Sequence, residues 1–124
     1  MSDGTGRIAG VRVLIVEDET IIAMAAEDMV EDMGAIVHAT AASLGEAMAA
    51  VAAGGFDIAL LDINLHDERS MPAAHALELG GTPFLFTTGY GSGGPDPAFS
   101  HVPVLPKPYR QADVAAAIAT ALGR

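Results

Sequence analysis

The sequence contains no cysteine, so disulfide frameworks and thiolate metal sites are excluded. Tryptophan is absent too, and aromatic residues make up only 5% of the chain, which leaves core filling to aliphatic side chains. Positive charge is scarce: six Lys and Arg stand against sixteen Asp and Glu, a formal net of −10. A nucleic-acid binder needs a basic stripe to displace counterions from phosphates, and none is present. No apolar run approaches the ~20 residues that span a bilayer. The first ten residues lack the charged-then-apolar layout of a signal peptide, so a soluble cytoplasmic protein is expected. The four histidines (His38, His66, His75 and His101) show no metal-ligand spacing and are expected at the surface.

What is present fits one compact α/β domain. The length, 124 residues, lies within the ~100–150 common for single domains, and 51% of the residues are hydrophobic. Residues 1–10 read as a flexible lead and 11–124 as the domain. Apolar, β-branched runs predict strands at Val11–Val16, Ala35–Ala39, Ile58–Asp62, Pro83–Thr88 and Val102–Leu105. Between them lie helical patterns. Thr20–Met33 repeats Ile22, Ala25, Ala26, Met29 and Met33 at helical spacing and stops at Gly34. Ser43 and Glu46 form a capping-box pair opening an Ala-rich helix that Gly54-Gly55 ends. Met71–Leu79 and Gln111–Leu122 complete the set, and Met24, Met29, Met33 and Met48 are expected in the core. Alternating strands and helices predict a doubly wound parallel sheet covered on both faces.

One interval breaks the alternation. From Gly89 to His101 the chain carries four glycines and two prolines, which disfavour a regular helix. A loop or at most one helical turn is expected there. Gly89, Gly91 and Gly94 satisfy the spacing of a dinucleotide-binding loop, but Pro95 and Pro97 follow where that motif needs a helix, so it is rejected.

In open α/β sheets the functional crevice lies beyond the carboxyl ends of the strands. Those ends carry Glu17 and Asp18, Asp62, Thr87 and Thr88, and then Lys107, the sole lysine. Clustered carboxylates repel one another unless a cation joins them. An all-oxygen set suits Mg²⁺. The lysine and a hydroxyl supply donors for phosphoryl oxygens. The set reads as a phosphoryl-transfer site with Asp62 as nucleophile. Taken singly, each residue has a plainer role: Asp62 or Asn64 in a turn, Glu17 and Asp18 beside a helix N-terminus, Lys107 in solvent, Thr88 before Gly89.

Four segments in register, Val16-Glu-Asp-Glu19, Leu60-Leu-Asp-Ile-Asn-Leu65, Thr88-Gly-Tyr90 and Pro106-Lys-Pro-Tyr109, resemble response-regulator receiver domains over nearly the whole chain. That resemblance implies a flavodoxin-like five-stranded sheet in the order 2-1-3-4-5. It implies Asp62 as phosphoacceptor, and Mg²⁺ held by Glu17, Asp18, Asp62 and the Asn64 carbonyl. It further implies Thr88 and Lys107 on the phosphoryl group and a cis Lys107–Pro108 bond. Pro83-Phe-Leu-Phe-Thr-Thr-Gly-Tyr90 also resembles the signature of the FAT GUY receivers, with Thr87 in place of Ala. Their fourth helix is short, altered or missing, and they often work with HWE-type histidine kinases. Val104 stands where typical receivers carry a switching aromatic. The expected function is a stand-alone, monomeric response regulator, a phosphoacceptor rather than an enzyme. It would take its phosphoryl group from a histidine kinase or phosphotransfer protein, then signal to a downstream protein or act as a phosphate sink. The alternatives are a pseudo-receiver that binds partners without phosphorylation and an aspartate-nucleophile phosphatase. The phosphatase is disfavoured by Asn64, where such enzymes carry a second aspartate.

Overall fold

The computed structural model describes residues 8–66, 68–89 and 93–124; Tyr90 and residues 1–7 of the lead lie outside them. Strands β1 (Arg12–Val16), β2 (Ile36–Ala41), β3 (Ile58–Asp62), β6 (Phe84–Thr88) and β7 (Val104–Pro106) form a parallel sheet in the order β2-β1-β3-β6-β7. This is the flavodoxin-like order 2-1-3-4-5. Lying wholly within the described residues are the helices α1 (Thr20–Asp32), α2 (Leu44–Ala53), α3 (Met71–Leu79) and α4 (Gln111–Ala121). No helix among the described residues is long and apolar enough to cross a membrane.

Strand periodicity divides the core into two. Successive side chains of a strand point to opposite faces. Leu14, Val16, Ala59, Leu61 and Phe86 therefore pack with α2 and α3 residues such as Ala47, Ala73 and Leu77. Val13, Ile15, Ile58, Leu60 and Leu85 pack with Val30 of α1 and Val114 and Ile118 of α4. Burial on both faces explains why these strands read as unbroken apolar runs. Ile8 belongs to the second core and is fully buried, and the Gly10 N–H donates to the Gly34 carbonyl at 2.8 Å, so packing reaches ahead of residue 11.

Local signals act largely as the sequence suggests. Gly34, at φ 82°, closes α1: its N–H bonds to Glu31 O at 3.0 Å, and the Ala35 N–H to Val30 O at 3.1 Å. This is a Schellman arrangement that only a left-handed residue completes. Ser43 caps α2 by accepting from the Glu46 N–H at 3.1 Å. The Glu46 carboxylate, however, accepts from the Ala42 N–H at 2.7 Å rather than from Ser43, one residue away from the reciprocal box.

Two expectations are corrected. The buried stripe of α1 is Ala23, Ala26 and Val30, continued by Met33; Ile22 and Met29 are half-buried and Ala25 is exposed. Met24 and Met48 are exposed, not core, because α1 turns its small residues to the sheet and leaves Met24 outward. A short antiparallel pair, β4 (Asn64–Leu65) with β5 (Glu68–Arg69), was not foreseen; two-residue strands carry no readable period. Among the described residues of the interval after β6, the one helical element is a 3₁₀ turn, Pro97–Phe99, as the sequence expects. Phe99 is fully buried there, edge-on to Phe84, Phe86 and His75 with ring centroids 6.1, 5.9 and 4.8 Å away.

Candidate functional site

The carboxyl ends of β1, β3, β6 and β7 converge on one cleft of about 740 Å³, lined among others by Asp18, Asp62, Asn64, His66, Lys107 and Tyr109. Glu17 and Asp18 follow β1, and Asp62 ends β3. Glu17 and Asp62 are each only 3% exposed. Parallel pairing sets Val16 against Leu61, so the two acidic strand ends lie side by side. Oxygens of Glu17, Asp18 and Asp62 lie within 4.8 Å of one another.

Lys107 enters from the far side of the sheet. It follows β7, its N–H bonds to the Thr88 carbonyl at 2.8 Å, and its peptide bond to Pro108 is cis. The ammonium donates to Glu17 Oε1 at 2.8 Å and to Asp62 Oδ2 at 2.9 Å. Burial works to lower the Lys107 pKa, but the bonds to Glu17 and Asp62 outweigh it and hold the amine above its ordinary value. Glu17 moves the other way from a usual salt-bridged acid. Burial pushes its pKa up to about 7, against the opposing bonds from Lys107 and the Glu19 N–H. Glu17 and Asp62 thus share the Lys107 ammonium, and burial, with a smaller push from the neighbouring Asp62 charge, keeps Glu17 raised despite that contact.

The remaining residues occupy the rim. The Asn64 N–H donates to Asp62 Oδ1 at 3.3 Å, tying the start of β4 to β3. Thr88 is half-buried, and its hydroxyl lies 3.4 Å from the Gly89 carbonyl and 3.3 Å from the Gly93 carbonyl. Thr87 pairs with Asp62 in the sheet and is buried, facing away from Thr88 as strand alternation requires. Val104 is half-buried beside Phe86 in the register of β6 and β7. The sequence-selected residues Glu17, Asp18, Asp62, Asn64, Thr88 and Lys107 are therefore brought to one end of the sheet.

One further residue reaches the site. His66 is exposed, as expected, but its N–H bonds to Asp18 Oδ2 at 2.7 Å and its Nδ1 sits 3.1 Å from the same oxygen. Its φ of 55° puts it in the left-handed turn between β4 and β5. No spacing rule reveals that contact, because it depends on the hairpin that the sequence did not disclose. His38, His75 and His101 are also exposed, and His101 pairs with Glu78 at 2.7 Å.

An all-oxygen cluster with a deficit of positive charge suits a hard divalent cation, which favours carboxylates and phosphate oxygens. Added to an ammonium on Asp62 and a nearby hydroxyl, it can bind and transfer a phosphoryl group.

Comparison with known proteins agrees. A family model for the response regulator receiver domain matches residues 13–93. The solution structure of SdrG from Sphingomonas melonis Fr1 is 40% identical, with a TM-score of 0.83 over 98% of this chain and 99% of that one. The BeF3-activated conformation of SdrG from Pseudomonas melonis Fr1, also 40% identical, superposes with a TM-score of 0.73 over 98% of each chain. The receiver domain of the Erythrobacter litoralis PhyR response regulator is 30% identical, with a TM-score of 0.76 over 95% of this chain and 94% of that one. No curated protein matches the chain significantly.

Proposed function

Because the chain belongs to the response regulator receiver domain family, we propose that it accepts a phosphoryl group on Asp62 in a Mg²⁺-dependent reaction. The observation that carries this reading is the Lys107 ammonium held between Asp62 and Glu17 at 2.9 and 2.8 Å, with Asp18 in the same cluster. An Asp62 oxygen attacks phosphorus, the bond from phosphorus to the donor's imidazole nitrogen breaks, and an acyl phosphate forms. Lys107 holds the attacking carboxylate and then pairs with a phosphoryl oxygen. The Thr88 hydroxyl turns from the Gly93 carbonyl to a second oxygen. Glu17, Asp18, Asp62 and the Asn64 carbonyl would hold Mg²⁺, which neutralises the charge of the transferring group. Attack by water on phosphorus breaks its bond to the Asp62 oxygen, returns the carboxylate and releases inorganic phosphate. The domain thus promotes its own phosphorylation and dephosphorylation without turning over a separate substrate.

Residues 11–124 form the working unit in this reading, with Ile8 anchoring the lead. The donor is a histidine kinase or phosphotransfer protein, and output passes by protein contact or by draining phosphate. The Pro83–Tyr90 segment and the lone turn at Pro97–Phe99 favour the FAT GUY subgroup, and with it an HWE-type kinase.

Incubation with Mg²⁺ and acetyl phosphate should add one phosphoryl mass. Asp62→Asn should abolish the gain, and chelation of Mg²⁺ should suppress it. A folded wild-type protein that stays unmodified would instead place the chain with pseudo-receivers that bind partners without phosphorylation.

A further inference from the structure

Among the described residues between β6 and β7, the segment 93–96 is touched by two side chains that each lead back to the site. Thr88, at the end of β6, points its hydroxyl at the Gly93 carbonyl, 3.3 Å away. Arg69 Nη2 donates to the Gly94 carbonyl at 2.9 Å and to Asp96 Oδ1 at 3.2 Å. Arg69 lies on β5, directly across the hairpin from Asn64, whose N–H bonds to Asp62. These two side-chain contacts onto residues 93–96 therefore start beside Asp62.

These two holds differ in strength. An O–H···O distance of 3.3 Å is long for a hydroxyl, whose good bonds fall near 2.7–2.8 Å. The guanidinium contacts are charge-assisted, with one Nη2 donating to both the Gly94 carbonyl and the Asp96 carboxylate. Arg69 is thus the stronger hold on the residues next to Gly93. A threonine hydroxyl has a single proton. That proton faces the Gly93 carbonyl at 3.3 Å and the Gly89 carbonyl at 3.4 Å. While it serves either, it cannot serve a phosphoryl oxygen. Of the two, only the Gly93 side lies next to the Arg69 contacts.

We propose that Arg69 is a positioning residue for Thr88: through Gly94 and Asp96 it holds the loop in the resting arrangement that occupies the Thr88 hydroxyl, and so opposes phosphoryl binding at Asp62. This rests on the reading of Asp62 as phosphoacceptor. The Arg69–Asp96 pair is part-exposed, at 41% and 49% of its side-chain surfaces. Such pairs are weak, so the hold shifts the equilibrium by about two- to five-fold rather than locking it. A weak hold suits a loop that a single modification must release.

Mg²⁺–beryllofluoride titration followed by amide NMR separates the outcomes. Arg69→Gln should bind beryllofluoride about two- to five-fold more tightly than wild type. Asp96→Asn, which leaves the Gly94 bond, should shift affinity in the same direction by less. The double variant should gain no more than Arg69→Gln alone, because both changes remove one interaction. In the absence of beryllofluoride, amide exchange should quicken within 93–96 and stay unchanged in β1 and β3. Mere damage to the site would weaken binding, so tighter binding is the distinguishing result. Unchanged or weaker binding by the variants, with a responsive wild type, overturns the role of Arg69 alone. A wild type that does not respond overturns the phosphoacceptor reading and this inference with it.

Discussion

At the scale of single residues, the raised Glu17 has a consequence that needs no phosphate. A carboxyl whose folded pKa exceeds its ordinary value stabilises the folded state most when protonated. Its contribution is complete below about 4.5, the ordinary value, and is lost as pH rises through about 7. In Mg²⁺-free buffer the melting temperature of wild type should therefore fall from pH 5 to pH 8 relative to that of Glu17→Gln. Parallel pH profiles for the two proteins would show that Lys107 neutralises Glu17 fully. The residues that matter here were legible because strands ended on them: Glu17, Asp62 and Thr88 each close or follow an apolar run, and Lys107 is the only lysine. His66 was not legible as an Asp18 partner, since forty-eight residues and an unforeseen hairpin separate the two.

At the scale of elements, the interval after β6 is the informative one. Glycine and proline deny it a helix, yet the fold still has to cover the apolar face of Phe84 and Phe86. Two of the interval's described side chains join that core: Phe99, on a 3₁₀ turn, is fully buried against both rings, and Val102 belongs to the same cluster. Phe99→Ala should cost about 3 kcal/mol, the low end for a buried phenylalanine, because a loop can partly collapse into the gap. Urea unfolding measures this, and a loss under about 1 kcal/mol would mean that other residues cover the face. The strands and helices were readable from their periods, with ends shifted by one or two residues. The face of α1 was not. Ile22, Ala25 and Met29 fit a helical stripe as well as Ala23, Ala26 and Val30 do, and the sheet chose the smaller set. Close approach of helix to strand favours small side chains, and composition alone does not say which stripe will meet the sheet.

At the scale of the whole molecule, a net charge of −10 on 124 residues imposes self-repulsion on the compact state. Raising NaCl from about 0.01 to 0.15 M shortens the screening length from ~30 to ~8 Å and should raise the melting temperature. A melting temperature that falls with salt would mean that surface ion pairs such as Arg12–Asp57 and Arg69–Asp96 outweigh the repulsion. The sequence by itself determined the fold class, the strand-end acids and the missing helix, because these follow from local composition and from apolar periods that one chain segment carries alone. Only the tertiary structure decided which face of α1 is buried, that Phe99 serves as the cover, and that Arg69 and His66 reach Asp96 and Asp18. Those are contacts between segments remote in sequence. Their partners are fixed by strand order and hairpin register, which no single segment encodes.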